Sequence, residues 1–232
     1  YKGGYYQNIE TDNEQLGLVI GMLEKMSLLN KGIFIYMSDH GMKGKFTVNE
    51  VGLKIPLVVR WPNKIEPYST SEQLVSMVDI LPTLIESVGG KILDDIDGLS
   101  FSSLLLGEDK QIRKYIFGVS TRQNIQACYI FPSRSVRDNR YKYIRNYNAL
   151  ELLDQNLGDN EFINNFIKRG ANTFSHVPYE ELYDLQHDPY EHNNLAMDYK
   201  YRLVKNRLSV VLIDWMKNQE DILLKYKTPL IK

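Results

Sequence analysis

At 232 residues the chain has the length of one large domain or one domain and a half. Its 28 Lys plus Arg against 29 Asp plus Glu leave a formal charge of −1 with no standout basic block, which argues against a generic nucleic-acid binder. A 43% hydrophobic and 25% charged content is that of a folded globular chain, not of a disordered tail, a collagen-like chain or a disulfide scaffold.

The chain opens YKGGYYQNIE, without an initiator Met or a charged-then-apolar leader. The first residue therefore reads as a cut, either a processing product or a piece of a longer polypeptide. Leu16, Val19, Ile20, Leu23 and Met26 then recur at the spacing of an amphipathic helix face. Glu24, Lys25 and Ser27 break this stretch well short of the roughly 18 apolar residues a membrane span needs. Lys31-Gly32 stops the helix, and the apolar run Ile33 to Met37 reads as a strand buried on both faces, the habit of parallel sheets. Ile55 to Trp61 reads as a second such strand. A second helix is expected from about Ser71, its N-cap, through Leu74, Val78, Leu81, Leu84, Ile85 and Val88. Pro82 should kink or restart it, and Gly89-Gly90 should end it. Helix, strand, strand, helix is the order of a layered α/β domain.

The texture changes near residue 110, which divides the chain into 1–110 and 111–232. Short runs follow at Tyr115 to Val119, Ala127 to Phe131, Ser135 to Arg137 and Tyr141 to Arg145, with Asp138-Asn139 as a tight turn. These predict a small antiparallel sheet with one wet face. A last helix, Tyr199 to about Ile222, should turn Leu203, Leu208, Val211, Leu212 and Trp215 to a core. Cys128 is the single cysteine, so no intrachain disulfide can form, which leaves the compartment open.

The chemistry concentrates at Ser38-Asp39-His40-Gly41, where a strand ends on a carboxylate, an imidazole and a glycine. Ligands of open α/β sheets bind outside the carboxyl ends of the strands. Adjacent strand residues point to opposite faces, so Asp39 and His40 reach one ion only if Gly41 lets the chain turn. The same residues also suit an Asp that caps the next segment and a His bonded locally.

The order S-D-H-G, then Gly44-Lys45, then Glu50-x-Gly52-x-x-x-Pro56-Leu57-x-x-x-Trp61-Pro62 resembles the sulfatase family of the alkaline phosphatase superfamily. Asp79-x-x-Pro82-Thr83-Leu84 and Asp97-Gly98-Leu99-Ser100-Phe101 resemble the family's next motifs in order. So do Phe131 to Arg137 with Arg140 to Ile144, and Glu181-Leu182-Tyr183-Asp184-Leu185, Asp188-Pro189-Tyr190-Glu191 and Asn194-Leu195-Ala196. The resemblance spans nearly the whole chain, with a fainter similarity to the heparan N-sulfatase (sulfamidase) branch.

That resemblance implies the C-terminal part of a mostly parallel layered α/β/α domain in 1–110. It implies a small antiparallel sheet packed with a C-terminal helix in 111–232. It implies hydrolysis of sulfate esters or N-sulfates on a sulfated sugar or an aryl sulfate, glycosaminoglycans included. A divalent cation, calcium foremost, would be held in part by Asp39 and His40, with Lys45 touching the sulfate. A histidine ligand leaves magnesium, manganese or zinc open, since calcium prefers oxygen. For Lys45 the alternative is a solvated loop lysine. Arg122, Arg134, Arg137 and His176 could contact an anionic sugar, or form surface salt bridges and sheet-edge charges.

The family's nucleophile is a formylglycine made from Cys or Ser in C/S-x-P/A-x-R, and the chain holds no such motif. Cys128 precedes Pro132-Ser133-Arg134 at the wrong spacing and reads as a core thiol. The resemblance therefore implies an N-terminal half of the same parent protein as partner, and a periplasmic, secreted or lysosomal location. No nucleic acid or membrane span is expected, and the oligomeric state stays open. The alternatives are a phosphonate monoester or phosphodiester hydrolase of the same superfamily, and a truncated, non-catalytic module.

Overall fold

The computed structural model describes residues 4–42, 45–120, 123–124, 129–130, 132–147 and 177–224. Helix α1 (Gly4–Lys25) forms as its periodicity predicts, but none of its residues is buried. Leu16, Ile20 and Leu23 are half-covered, whereas Val19 and Met26 stand exposed.

Strands β1 (Phe34–Met37) and β2 (Leu57–Arg60) pair with each other, antiparallel, with Phe34 opposite Arg60 and Met37 opposite Leu57. The expectation of parallel, doubly buried strands is not met at this pair. Among the described residues their connection holds one four-residue helix, α2 (Glu50–Leu53), and the chain returns alongside itself. Tyr36, Met37 and Val58 remain exposed on the ribbon.

The next helix begins later than Ser71. Ser71 only accepts a bond from the Gln73 amide, and the cap is Ser76, whose reciprocal bonds with Asp79 form a capping box over the 3-10 turn Met77–Asp79. Helix α3 (Ile80–Ser87) continues from it with Pro82 in its first turn, where no N–H is required. Gly89, at φ +77°, closes it in the left-handed region. The short helix α4 (Ser102–Leu105) follows.

The second half is built on a four-stranded antiparallel sheet in the order β3-β6-β7-β8, with β3 Ile116–Ser120, β6 Ser133–Arg137, β7 Tyr141–Asn146 and β8 Glu180–Asp184. A separate pair, β4 (Gln123–Asn124) with β5 (Tyr129–Ile130), precedes β6. The β6–β7 turn falls where Asp138-Asn139 predicts it. The Asp138 carboxylate accepts from the amides of Arg140 and Tyr141, bending the chain locally.

Helix α5 (Arg202–Asn218) lies on one sheet face, with Leu208, Leu212 and Met216 buried against Val136, Tyr143 and Leu182. Trp215 stacks on Phe117, centroids 4.6 Å apart. Leu203 is 77% exposed, contrary to expectation. Five positions before Leu208, it lies about 140° round the helix from the core face. The opposite sheet face is not wet either. Val48, from the segment before α2, packs there on Ile144 and Tyr183.

Asp184 ends β8 in a fork with Arg140, whose Nη2 donates at 2.7 Å, and the His187 ring donates at 3.0 Å. The Arg140 contact leads in holding its carboxyl down, to about 2. A depressed carboxyl pKa adds stability above its unfolded value and loses it as pH falls through the folded one. Chain stability should therefore drop between pH about 4 and about 2, and Asp184→Asn should flatten that stretch of a denaturation-versus-pH curve. An unchanged slope in the variant would show that the fork does not contribute.

Candidate metal and oxyanion site

Beyond β1 the chain turns sharply over Ser38-Asp39-His40-Gly41. The Ser38 hydroxyl donates to the His40 carbonyl at 2.7 Å, which tightens the turn. His40 Nδ1 lies 2.7 Å from the Gly41 carbonyl. A carbonyl only accepts, so Nδ1 carries the proton and Nε2 of the neutral ring keeps its lone pair. That nitrogen sits 3.8 Å from Asp39 Oδ1, and the Asp39 side chain is 79% exposed.

Gly41 is where the sequence leaves no choice. Its amide donates to the Gly52 carbonyl at 2.8 Å. A Cβ there would come within 2.3 Å of the Val51 carbonyl oxygen. The turn is thus pressed onto the backbone of α2, and only a residue without a side chain allows that approach.

Two donors 3.8 Å apart suit neighbouring ligands of one ion, given metal–ligand distances of about 2.0–2.5 Å. A second ring nitrogen bonded to a backbone carbonyl is the usual support of a metal-ligating histidine. The residues present therefore fit a share of a divalent-cation site. Among the described residues no group of three or more His, Cys, Asp or Glu could hold an ion, so the pair by itself could supply only part of a donor set.

Lys45 is exposed in the turn that follows, its ammonium 5.9 Å over the Phe46 ring. It is on the same loop as the pair, and among the described residues no ion pair joins it to Asp39. Phe46 adopts φ 69°, and its carbonyl accepts from the Ser120 hydroxyl at 2.6 Å, which ties the loop to the end of β3.

The arginines fare differently. Arg134 is 3% exposed, and its Nε donates to Asp221 at 2.6 Å while Nη1 donates to the Ser120 and Ser133 carbonyls. Its donors are committed inside the fold, so the expectation of a sugar contact gives way to an internal tie between β6 and the segment after α5. Arg137 likewise donates to Glu50 Oε2 at 2.5 Å rather than facing solvent. Arg122, His176 and Cys128 lie outside the described residues.

Sequence reasoning missed a cavity of about 570 Å³ between the Phe46–Asn49 segment and the sheet. Ser133, Asn146 and Glu181 line it in a chain of bonds, Ser133 Oγ to Asn146 Oδ1 and Asn146 Nδ2 to Glu181 Oε1, each 2.6 Å. Glu181 lies within a recognised motif, but no local signal marks Asn146.

Residues 38–177 match the family model described as N-sulphoglucosamine sulphohydrolase, C-terminal. The chain is 50% identical, over 96% of its length, to an ulvan-active sulfatase of Formosa agariphila, of which it covers 44%. It belongs to the sulfatase family, and what it represents is the C-terminal portion. Among solved structures it resembles one in complex with its substrate D-glucosamine-2-N,6-O-disulfate, with TM-score 0.70 and 24% identity over 90% of this chain and 38% of that one. It also resembles a phosphonate monoester hydrolase from Silicibacter pomeroyi, with TM-score 0.64 and 21% identity over 88% and 38% of the two chains. These likenesses show the fold. The chain spans less than half the length of each of these proteins.

Proposed function

We propose that this chain supplies the C-terminal share of a sulfuric ester hydrolase acting on a sulfated carbohydrate. The observation that carries the reading is the turn after β1, where His40 Nδ1 is tied to a carbonyl and Nε2 is left beside the exposed Asp39 carboxylate. Asp39 and His40 would hold one side of a divalent cation, calcium foremost. Such an ion, when bound, neutralises charge on the sulfuryl oxygens. The Lys45 ammonium, on the same loop and exposed, adds a second positive group that can face an oxyanion as the S–O bond breaks. With Nδ1 donating to the Gly41 carbonyl, His40 turns Nε2 toward the cation, and Gly41 holds both residues at the strand end.

The substrate class rests on the relatives. One 50% identical acts on ulvan by its name, and a protein of the same fold was solved with a sulfated glucosamine. A sulfated polysaccharide does not cross a membrane, which fits a periplasmic, secreted or lysosomal place. Among the described residues no helix is long and apolar enough to span a bilayer. The phosphonate monoester reading shares the fold at 21% identity, so the closer sulfatase relative favours sulfate.

The test is a chimera joining the N-terminal half of the Formosa agariphila relative to this chain. With calcium present it should release sulfate from ulvan oligosaccharides or an aryl sulfate, and leave a phosphonate monoester nearly untouched. The 232-residue chain alone should release none, because it holds no formylglycine motif. Turnover by the isolated chain, or a folded chimera that prefers the phosphonate, would overturn the reading.

A further inference from the structure

We propose that Glu50 is a positioning residue for the Asp39–His40 turn, acting through α2 from a charge network buried against the small sheet. The proposal rests on the reading of that turn as a cation site, but the coupling it describes can be measured without a cation.

The network begins on the sheet. Lys142 of β7 is 1% exposed, and its Nζ lies 3.1 Å from both Glu50 Oε1 and Glu191 Oε1. Arg137 of β6 takes the other Glu50 oxygen at 2.5 Å. Glu191 Oε2 in turn accepts from the Glu50 backbone amide at 2.7 Å. Two cations and two carboxylates thus balance, and Glu50 is gripped by both its side chain and its backbone. A buried ion pair is tolerable only when such partners are all in place.

Glu50 is also the first residue of α2, whose Val51, Gly52 and flanking Lys54 carbonyls lie against Gly41. The Lys54 amide donates to the Glu50 carbonyl at 2.8 Å, and the Leu53 and Gly52 amides each donate to the Asn49 carbonyl at 3.0 Å. The Gly52 carbonyl then accepts from Gly41, whose Cα lies against the Val51 and Lys54 carbonyls with no room for a methyl. A shift of α2 must therefore move Gly41, and with it the carbonyl that fixes the His40 ring. The four charged groups also span long stretches of sequence, which a locally sufficient turn would not need.

The measurement is amide exchange in the 232-residue chain, read as the rate at Gly41 relative to the buried amides of α5 at Leu208, Leu212 and Met216, which are not members of the charge network. A global loss of stability speeds the α5 amides at least as much as Gly41, so a ratio that rises reports opening at the turn itself. Glu50→Gln, which keeps shape but drops the charge, should raise it by about tenfold or more. Glu50→Asp, which keeps the charge but withdraws the carboxylate, should raise it less. Arg140→Gln breaks the Asp184 fork on the same sheet and should leave the ratio unchanged. A ratio unmoved in both Glu50 variants, or moved equally by Arg140→Gln, overturns the proposal.

In the chimera, calorimetry should show calcium binding weakened about tenfold by Glu50→Gln and not by Arg140→Gln. Unweakened calcium binding in Glu50→Gln also overturns the positioning role. A chimera that binds no calcium at all sinks the cation reading instead, while the exchange ratio still decides whether Glu50 holds the turn.

Discussion

Asp39→Asn, placed in the chimera, is expected to lower kcat/KM for sulfate release by about a hundred- to a thousandfold. Asparagine keeps the shape and one carbonyl oxygen, so the fold should not suffer at a side chain that is 79% exposed. What disappears is the negative charge that offsets a divalent cation. Part of the activity should return when calcium or manganese is raised, because the defect is one of cation affinity. Lys45→Met should cost a comparable factor without that recovery, since its loss bears on the oxyanion directly. The two variants together separate cation from oxyanion contacts. Activity within about threefold of the parent for Asp39→Asn would mean the turn holds no cation the reaction uses.

How much of this could be read from the residues depends on whether the cause was local. The S-D-H-G turn, the Asp138-Asn139 hairpin and the glycine stop after α3 were legible because neighbours on the chain fix them. The start of α3 is not legible in the sequence, because both Ser71 and Ser76 can cap. Only Asp79, three residues after Ser76, completes the reciprocal box. The apolar runs of β1 and β2 gave strands but not their sense of pairing, since hydrophobicity alone does not distinguish a ribbon from an interior strand. Arg134 and Arg137 illustrate the larger gap. Each looks like an anion contact in sequence, and each finds its carboxylate 87 positions away, at Asp221 and Glu50. Charge is visible in a sequence, whereas the partner that neutralises it is a product of the fold. The cavity lined by Asn146 and Glu181 escaped for the same reason.

The recognised motifs thus divide by role. Asp39 stands exposed and His40 half-buried, so core packing does not account for the pair. Glu50, Asp79, Asp184, Glu191 and Asn194 are instead hubs. Asn194, for example, accepts from the Leu182 and Ala196 amides and donates to the Glu180 carbonyl, so its side chain stands in for a missing strand beside β8. These side chains make their bonds inside the fold and so hold its frame.

Asp79 shows what such a hub is worth. It is fully buried, accepts from the Ser76 and Leu99 amides at 2.8 Å each, and binds Arg113 through Nε and Nη2. One carboxylate therefore caps the 3-10 turn, holds the Asp97-Gly98-Leu99 turn and neutralises a guanidinium that is itself largely covered. The fit is close: a Cβ on Gly98 would fall 2.0 Å from the Val78 carbonyl oxygen. Asp79→Ala strands Arg113 and two amides at once, and removing one partner of a buried pair costs about 3–5 kcal/mol. For a chain of this length that is a fall in Tm of roughly 6–20 °C in a thermal melt of the 232-residue chain. The double variant Asp79→Leu with Arg113→Met should recover part of that loss, because no charge is then left unpaired. A single variant that melts within about two degrees of the parent would show that water, not Asp79, satisfies Arg113 and the two amides.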